Sequence, residues 1–98
     1  MHVLGVLRGD TVIPVKAFIQ KEESALFYFR GALLPEYQRA LDELFVHAEG
    51  LVAAITMAEH LPRTEALYLA MLVGLTRDLL RLQQQVAELE AYICRGRS

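Results

Sequence analysis

Four residues between positions 47 and 60 carry side chains that could bind a metal ion: His47, Glu49, Glu59 and His60. Ligands on one helix must share a face, which requires a spacing of three or four residues. His47 and His60 are 13 positions apart, which places them roughly 220° apart around a helix that turns 100° per residue. The spacing favours surface histidines, with Glu43 one turn before His47 as its expected partner. We therefore predict neither a metal site nor a cofactor.

Hydroxyl and thiol side chains are present, but their spacing does not indicate a catalytic nucleophile. The serines and threonines are scattered, and no Gly-x-Ser-x-Gly elbow accompanies them. Cys94 is the single cysteine, and no histidine is close to it in the sequence. We therefore predict no catalytic residue and lean against an enzyme. An active site assembled across a subunit interface stays open, because such a site leaves little local trace in a sequence.

One short segment bears on nucleic-acid binding: Gly-Asp-Thr-Val-Ile-Pro at 9–14. It is similar to the Gly-Arg-x-x-Ile-Pro pattern of swapped-hairpin transcription factors of the AbrB class, and the resemblance implies DNA binding. Asp10 stands where that family has arginine, and the segment after Pro14 has the composition of a strand where that family has a helix. No site residue is carried over. The net charge of −2 offers no basic face for phosphates, so we expect no nucleic-acid partner.

The composition bounds the size and the surroundings of the protein. The chain has 98 residues, which we assign to a single domain, 1–98. Its longest charge-free stretches, 50–58 and 66–76, are shorter than the roughly 20 residues that a membrane helix needs, so we expect no membrane partner. One cysteine permits no internal disulfide, which favours a reducing compartment, and we predict a cytoplasmic protein.

The first 30 residues have the composition of β-strands. Two apolar runs rich in β-branched residues flank a polar turn at 8–11, and a third run, Ala-Leu-Phe-Tyr-Phe-Arg, follows at 25–30. Short apolar runs separated by polar turn residues are typical of adjacent antiparallel strands. The sequence therefore predicts an N-terminal three-stranded antiparallel β-meander over residues 1–30.

The rest of the chain has the periodicity of two long helices. Apolar residues recur at alternating gaps of three and four over 35–60 and again over 64–94, with Pro35 suited to a first helical turn and Pro62 in the connection. A short connection favours an antiparallel two-helix hairpin, which leaves 95–98 as a frayed tail. The predicted fold class is α+β, with the meander followed by this long hairpin.

The apolar surface of the hairpin exceeds what one chain can cover. Seven residues of the second helix form a heptad repeat, which we expect to pack first against the first helix: Leu72, Leu75, Leu79, Leu82, Val86, Leu89 and Ile93. Near the hairpin tip, however, both helices are apolar on most of their circumference, which is typical of buried helices. We therefore predict a homodimer or higher homo-oligomer, in which two hairpins form an intersubunit four-helix bundle. The predicted oligomer interface comprises Leu51, Ile55, Met57, Tyr68, Met71, Leu72, Leu75 and Leu79.

Three functions are compatible with these features. The first is a small cytoplasmic homo-oligomeric module for protein–protein interaction or regulation, without catalytic activity, whose partner could be a protein that the sequence does not identify. The second is a small-molecule-binding protein with an apolar pocket between the helices and the sheet, lined by Phe27, Phe29, Tyr68, Met57 or Met71. The third is a DNA-binding regulator that uses the N-terminal β-hairpin.

Overall fold

The computed structural model describes residues 14–97, and every regular element in that range is an α-helix. The chain runs through α1 (Val15–Ala25), α2 (Phe27–Gly31), α3 (Pro35–Gly50), α4 (Val52–Met57) and α5 (Arg63–Arg97). The predicted α+β fold is therefore wrong, since residues 14–97 contain no strand.

The predicted β-meander fails where the structure can be compared with it. Residues 25–30, expected as the third strand, end α1 and form most of α2, and the chain after Pro14 is helical from Val15 onward. The first part of the meander, residues 1–13, lies outside the described residues. Val15 and Ile19 are buried one helical turn apart, so packing of one helical face overrides the strand preference of these side chains.

The segment expected as one helix over 35–60 is two helices. Pro35 occupies the first turn of α3 and Glu36 adds a carboxylate at the positive end of its dipole. After Gly50 the backbone leaves helical geometry at Leu51, with φ −119° and ψ 27°. The chain resumes as α4, which therefore takes a direction different from that of α3.

The last helix, α5, is much the longest element of the described chain. Its 35 residues span about 52 Å at 1.5 Å per residue. It begins after a turn in which the Pro62 carbonyl accepts a hydrogen bond from the Ala66 amide at 3.0 Å. It continues to Arg97, so residues 95–97 are helical and not a frayed tail. Among residues 14–97, no helix is both long enough and apolar enough to cross a membrane.

The hydrophobic core lies where α1, α3, α4 and the first half of α5 meet. It contains no buried polar side chain among the described residues. Ile19 and Leu67 are its most completely enclosed large side chains. The buried residues are Val15, Ile19, Phe45, Ala48, Ile55, Ala66, Leu67, Ala70 and Met71.

Beyond this core, α5 continues without cover. Every residue from Leu79 to Arg97 is exposed. About half of α5 therefore contributes nothing to the core of its own chain, although it carries most of the predicted heptad repeat.

Candidate interaction surface

A continuous apolar face of α5, here called the stripe, is exposed to solvent. Its members recur at gaps of four and three, and each is 46–58% exposed. At this spacing side chains lie along one side of a helix and face a neighbouring helix. The stripe comprises Tyr68, Leu72, Leu75, Leu79, Leu82, Val86, Leu89 and Ile93.

The stripe is exposed because α5 presents a different face to α3. The buried side of α5 contains Ala66, Ala70 and Gly74, small residues that allow two helix axes to approach closely. Gly74 shows how close the approach is: a Cβ at that position would lie 2.5 Å from Cγ of His47. The expectation that the heptad face packs first against the preceding helix is therefore wrong.

Next to the N-terminal half of the stripe lies an apolar groove of about 440 Å³. Met71 and Phe45 form its floor, being only 6% and 2% exposed. Its open sides carry half-exposed side chains, among them Phe29 at 55% and Leu72 at 57%. The groove is thus a concave apolar surface between α2, α3 and α5. Its lining is Leu26, Phe29, Leu41, Leu44, Phe45, Tyr68, Met71, Leu72 and Leu75.

The predicted interface residues divide between two sides of the molecule. Tyr68, Met71, Leu72 and Leu75 line the groove, and Leu79 continues the stripe beyond it. The other three lie elsewhere, since Leu51 and Ile55 border a smaller recess of about 140 Å³ between α4 and α5. Met57, at the end of α4, is 78% exposed and lines neither cavity. Ile55 is 4% exposed within the core.

The pocket predicted for a small molecule is altered in the same way. Phe29, Tyr68 and Met71 line the groove, whereas Phe27 and Met57 do not. Because residues 14–97 contain no strand, α2 forms the wall that the predicted sheet was expected to provide. The walls from α3 were missed, although Leu41 and Leu44 belong to the same helical periodicity that predicted that helix.

A polar clamp holds α2, and with it Phe29, against α3. The Arg30 guanidinium donates two hydrogen bonds to the Asp42 carboxylate, each at 2.8 Å. This hydrogen bonding lowers the pKa of Asp42 and raises that of Arg30. The Gln38 side-chain amide donates to the carbonyls of Arg30 at 3.0 Å and Leu33 at 3.2 Å. The clamp therefore fixes the groove wall through carbonyls at the end of α2 as well as through charge.

On the opposite side of α3, His47 connects that helix to α5. Its Nε2 lies 2.9 Å from Oδ2 of Asp78, so its partner is Asp78 and not the expected Glu43. Arg77 donates to the other oxygen of the same carboxylate at 3.2 Å. These groups border a recess of about 420 Å³, and no group of three potential metal ligands occurs among the described residues. The contact is therefore a structural tie next to the point where α5 loses its cover.

The remaining predicted chemistry is placed as follows. His60 is exposed in the turn between α4 and α5, away from any helix face, and Cys94 is exposed on α5. The N-terminal hairpin of the DNA-binding hypothesis lies outside the described residues. The segment after Pro14 is helical, so one of the two departures from the transcription-factor pattern is removed, while Asp10 remains in place of arginine.

Comparison of the chain with curated proteins and with solved structures gives no significant match. A protein-family comparison does give one, over residues 8–98. The matched segment contains the groove, the clamp and the stripe. The chain belongs to the family described as Domain of unknown function (DUF8156).

Proposed function

We propose that this protein is a homodimeric interaction module, and that the stripe on α5 is its self-association surface. The observation that carries the proposal is the exposure of eight large apolar side chains in one line along α5. Contiguous apolar surface of this kind is typical of protein–protein contact sites. Its activity is binding, because the two polar clusters of the described chain already serve as contacts between helices. The exposed, single cysteine accords with a reducing compartment, and we place the protein in the cytoplasm.

The size of the apolar contribution is sufficient for dimerisation. Burying the exposed half of a leucine-sized side chain contributes roughly 1 kcal/mol. Two stripes of eight residues together contribute on the order of 15 kcal/mol at that rate. Association costs roughly 4–15 kcal/mol in lost freedom of motion, so the stripe alone brings a dimer into the range of measurable affinity.

The test is the mass of the protein in solution, by light scattering after size exclusion. Leu79→Glu places a charge in the centre of the stripe and should convert the dimer to a monomer. Leu80→Glu is the matched control, because Leu80 is the next residue, is 59% exposed and lies well off the stripe at 100° per residue. A wild-type monomer, or equal effects of the two substitutions, would contradict the proposal.

A second function is favoured by the groove itself. Its volume of about 440 Å³ lies within the roughly 300–1,000 Å³ of small-molecule sites, and its lining is almost wholly apolar. In this alternative the groove binds an apolar compound. Native mass spectrometry of the purified protein would show it as a bound mass that Leu72→Glu removes.

A further inference from the structure

The apolar surface of this chain has a concave part and a convex part. The groove occupies the side of α5 from Tyr68 to Leu75, where α2 and α3 form walls. From Leu79 to Arg97, α5 is a single exposed helix whose stripe projects freely. Two grooves facing each other would leave space between them, whereas a helix set into a groove fills it. Each copy therefore carries both halves of a complementary contact.

We infer that the dimer is antiparallel, with the C-terminal half of each α5 lying in the groove of its partner. The inference rests on the proposed function, since it requires that the stripe is a self-association surface. It specifies the occupant of the groove as a second copy of this chain. A twofold axis then passes through the middle of α5, and each contact occurs twice, as expected for a symmetric dimer.

The spacing of the stripe is symmetric about its centre, between Leu79 and Leu82. In an antiparallel pair each member therefore meets another member, and none is left over. In heptad terms each pair joins an a position to a d position, so the apolar layers are continuous. The pairs, each formed twice, are Tyr68 with the partner's Ile93, Leu72 with the partner's Leu89, Leu75 with the partner's Val86, and Leu79 with the partner's Leu82.

This register places the correct segment in the groove. The groove side of α5, Tyr68 to Leu75, is opposite the partner's Val86 to Ile93, a segment of equal length. Both segments are about 10 Å long at 1.5 Å per residue. The stripe, the groove walls and the polar positions beside the stripe amount to about 20 residues a side, which is the lower end of the usual range for a stable interface.

The charges at the two ends of the stripe favour the same direction. Glu65 lies one turn before Tyr68 and Arg97 one turn after Ile93, and both are exposed. An antiparallel pair brings Glu65 beside the partner's Arg97, at both ends of the contact. A parallel pair would bring Glu65 near the partner's Glu65 and Arg97 near the partner's Arg97, which is repulsive. Antiparallel helices also oppose their dipoles.

The single cysteine allows a direct measurement of the direction. Cys94 is exposed and lies about 100° from the centre of the stripe, so a nitroxide label there should not enter the contact. In the antiparallel register the two labels are separated by about 40 Å along the axis, at 1.5 Å per residue. In a parallel pair they lie roughly 10–20 Å apart, since paired helix axes are about 10 Å apart.

Pulsed dipolar spectroscopy on the labelled full chain distinguishes the outcomes. A single distance near 40 Å supports the antiparallel dimer. A distance of 20 Å or less overturns the antiparallel arrangement and leaves the proposed function standing. Absence of dipolar coupling together with a monomeric mass overturns both.

A pair of matched variants tests the groove itself. Phe29 is part of the groove wall and does not belong to α5, whereas Phe27, two residues earlier on α2 and 71% exposed, does not line the groove. Phe29→Ser should raise the dimer dissociation constant about tenfold or more, the usual effect of truncating an interface aromatic. Phe27→Ser should leave it unchanged. Equal effects of the two substitutions would contradict the presence of the partner's helix in the groove.

Discussion

The contact between Arg30 and Asp42 combines two hydrogen bonds with opposite charges across the corner between α2 and α3. Both side chains are nearly half exposed, at 43% and 45%, so solvent screens the pair and limits its contribution. Its geometry is nevertheless the favourable one for a guanidinium and a carboxylate, with two parallel bonds. We therefore expect its main effect to be on the orientation of α2 and a smaller effect on global stability.

The pH dependence of this pair gives the first prediction. The pKa of Asp42 is lowered by the hydrogen bonds from Arg30, so the folded state binds the proton less strongly than the unfolded state. The stabilisation is therefore complete above the unfolded pKa, about 4, and disappears as the pH falls through the lower folded value. Asp42→Asn should lower the melting temperature by a few degrees at pH 7, and this difference should vanish near pH 2.

Thermal denaturation followed by circular dichroism from pH 2 to pH 7 measures this difference. Glu43→Gln is the control, since it neutralises the adjacent, exposed carboxylate, which forms no ion pair among the contacts of residues 14–97. A melting-temperature difference for Asp42→Asn that stays constant down to pH 2 would show that the pair does not act through the charge of Asp42.

At the scale of helices, the packing of α3 on α5 depends on one glycine. A Cβ on Gly74 would lie 2.5–2.7 Å from Cγ, Cβ and Nδ1 of His47. The His47 Cβ is fixed to the α3 backbone, so the two helices would have to move apart. Overpacking of this kind costs about 1–3 kcal/mol, which exceeds the roughly 1 kcal/mol that alanine gains over glycine in a helix.

The second prediction follows from this comparison. Gly74→Ala should lower the free energy of unfolding by about 1–2 kcal/mol, the difference between those two effects. Gly96→Ala is the control, because it changes the same residue type in the same helix where nothing lies within 4 Å. Chemical denaturation of both variants at equal protein concentration gives the two values. Stabilisation by Gly74→Ala equal to that by Gly96→Ala would mean that α3 and α5 are not in close contact there.

The helices also show which parts of the fold can be predicted from the sequence. Over 35–60 and 64–94 the apolar gaps of three and four predicted helices, and the structure has helices there, interrupted at Leu51. Over 15–31 composition was misleading, because aromatic and β-branched residues favour strands when considered one by one. The burial of Val15 and Ile19 one turn apart is a helical pattern that was present in the sequence, but it covers only a short segment.

The candidate site was predictable only in part, for a related reason. The heptad repeat of the stripe is visible in the sequence, but between residues 66 and 75 α5 is apolar around its whole circumference. Periodicity therefore cannot decide which face turns inward. The decision depends on the small side chains of Ala70 and Gly74, which allow α3 to approach closely, and so on a partner helix that a pattern within α5 does not contain.

At the scale of the whole molecule, the stripe relates the stability of α5 to the concentration of the protein. Residues 79–97 are exposed throughout, and isolated helices of this length have only marginal stability in water. If a second copy covers the stripe, helix formation in this segment is coupled to dimerisation, and dilution removes both. Residues 63–78 are held by the core of their own chain and should not respond.

Hydrogen exchange at two protein concentrations, above and below the dimer dissociation constant, measures the third prediction. Backbone amides of 79–97 should lose protection on dilution, by a factor that follows the fraction of monomer, while those of 63–78 keep theirs. Leu79→Glu should abolish protection of 79–97 at both concentrations, and Leu80→Glu should preserve the wild-type response. Protection that is independent of concentration would mean that this half of α5 is stable on its own, and the coupling between helix formation and dimerisation would be wrong.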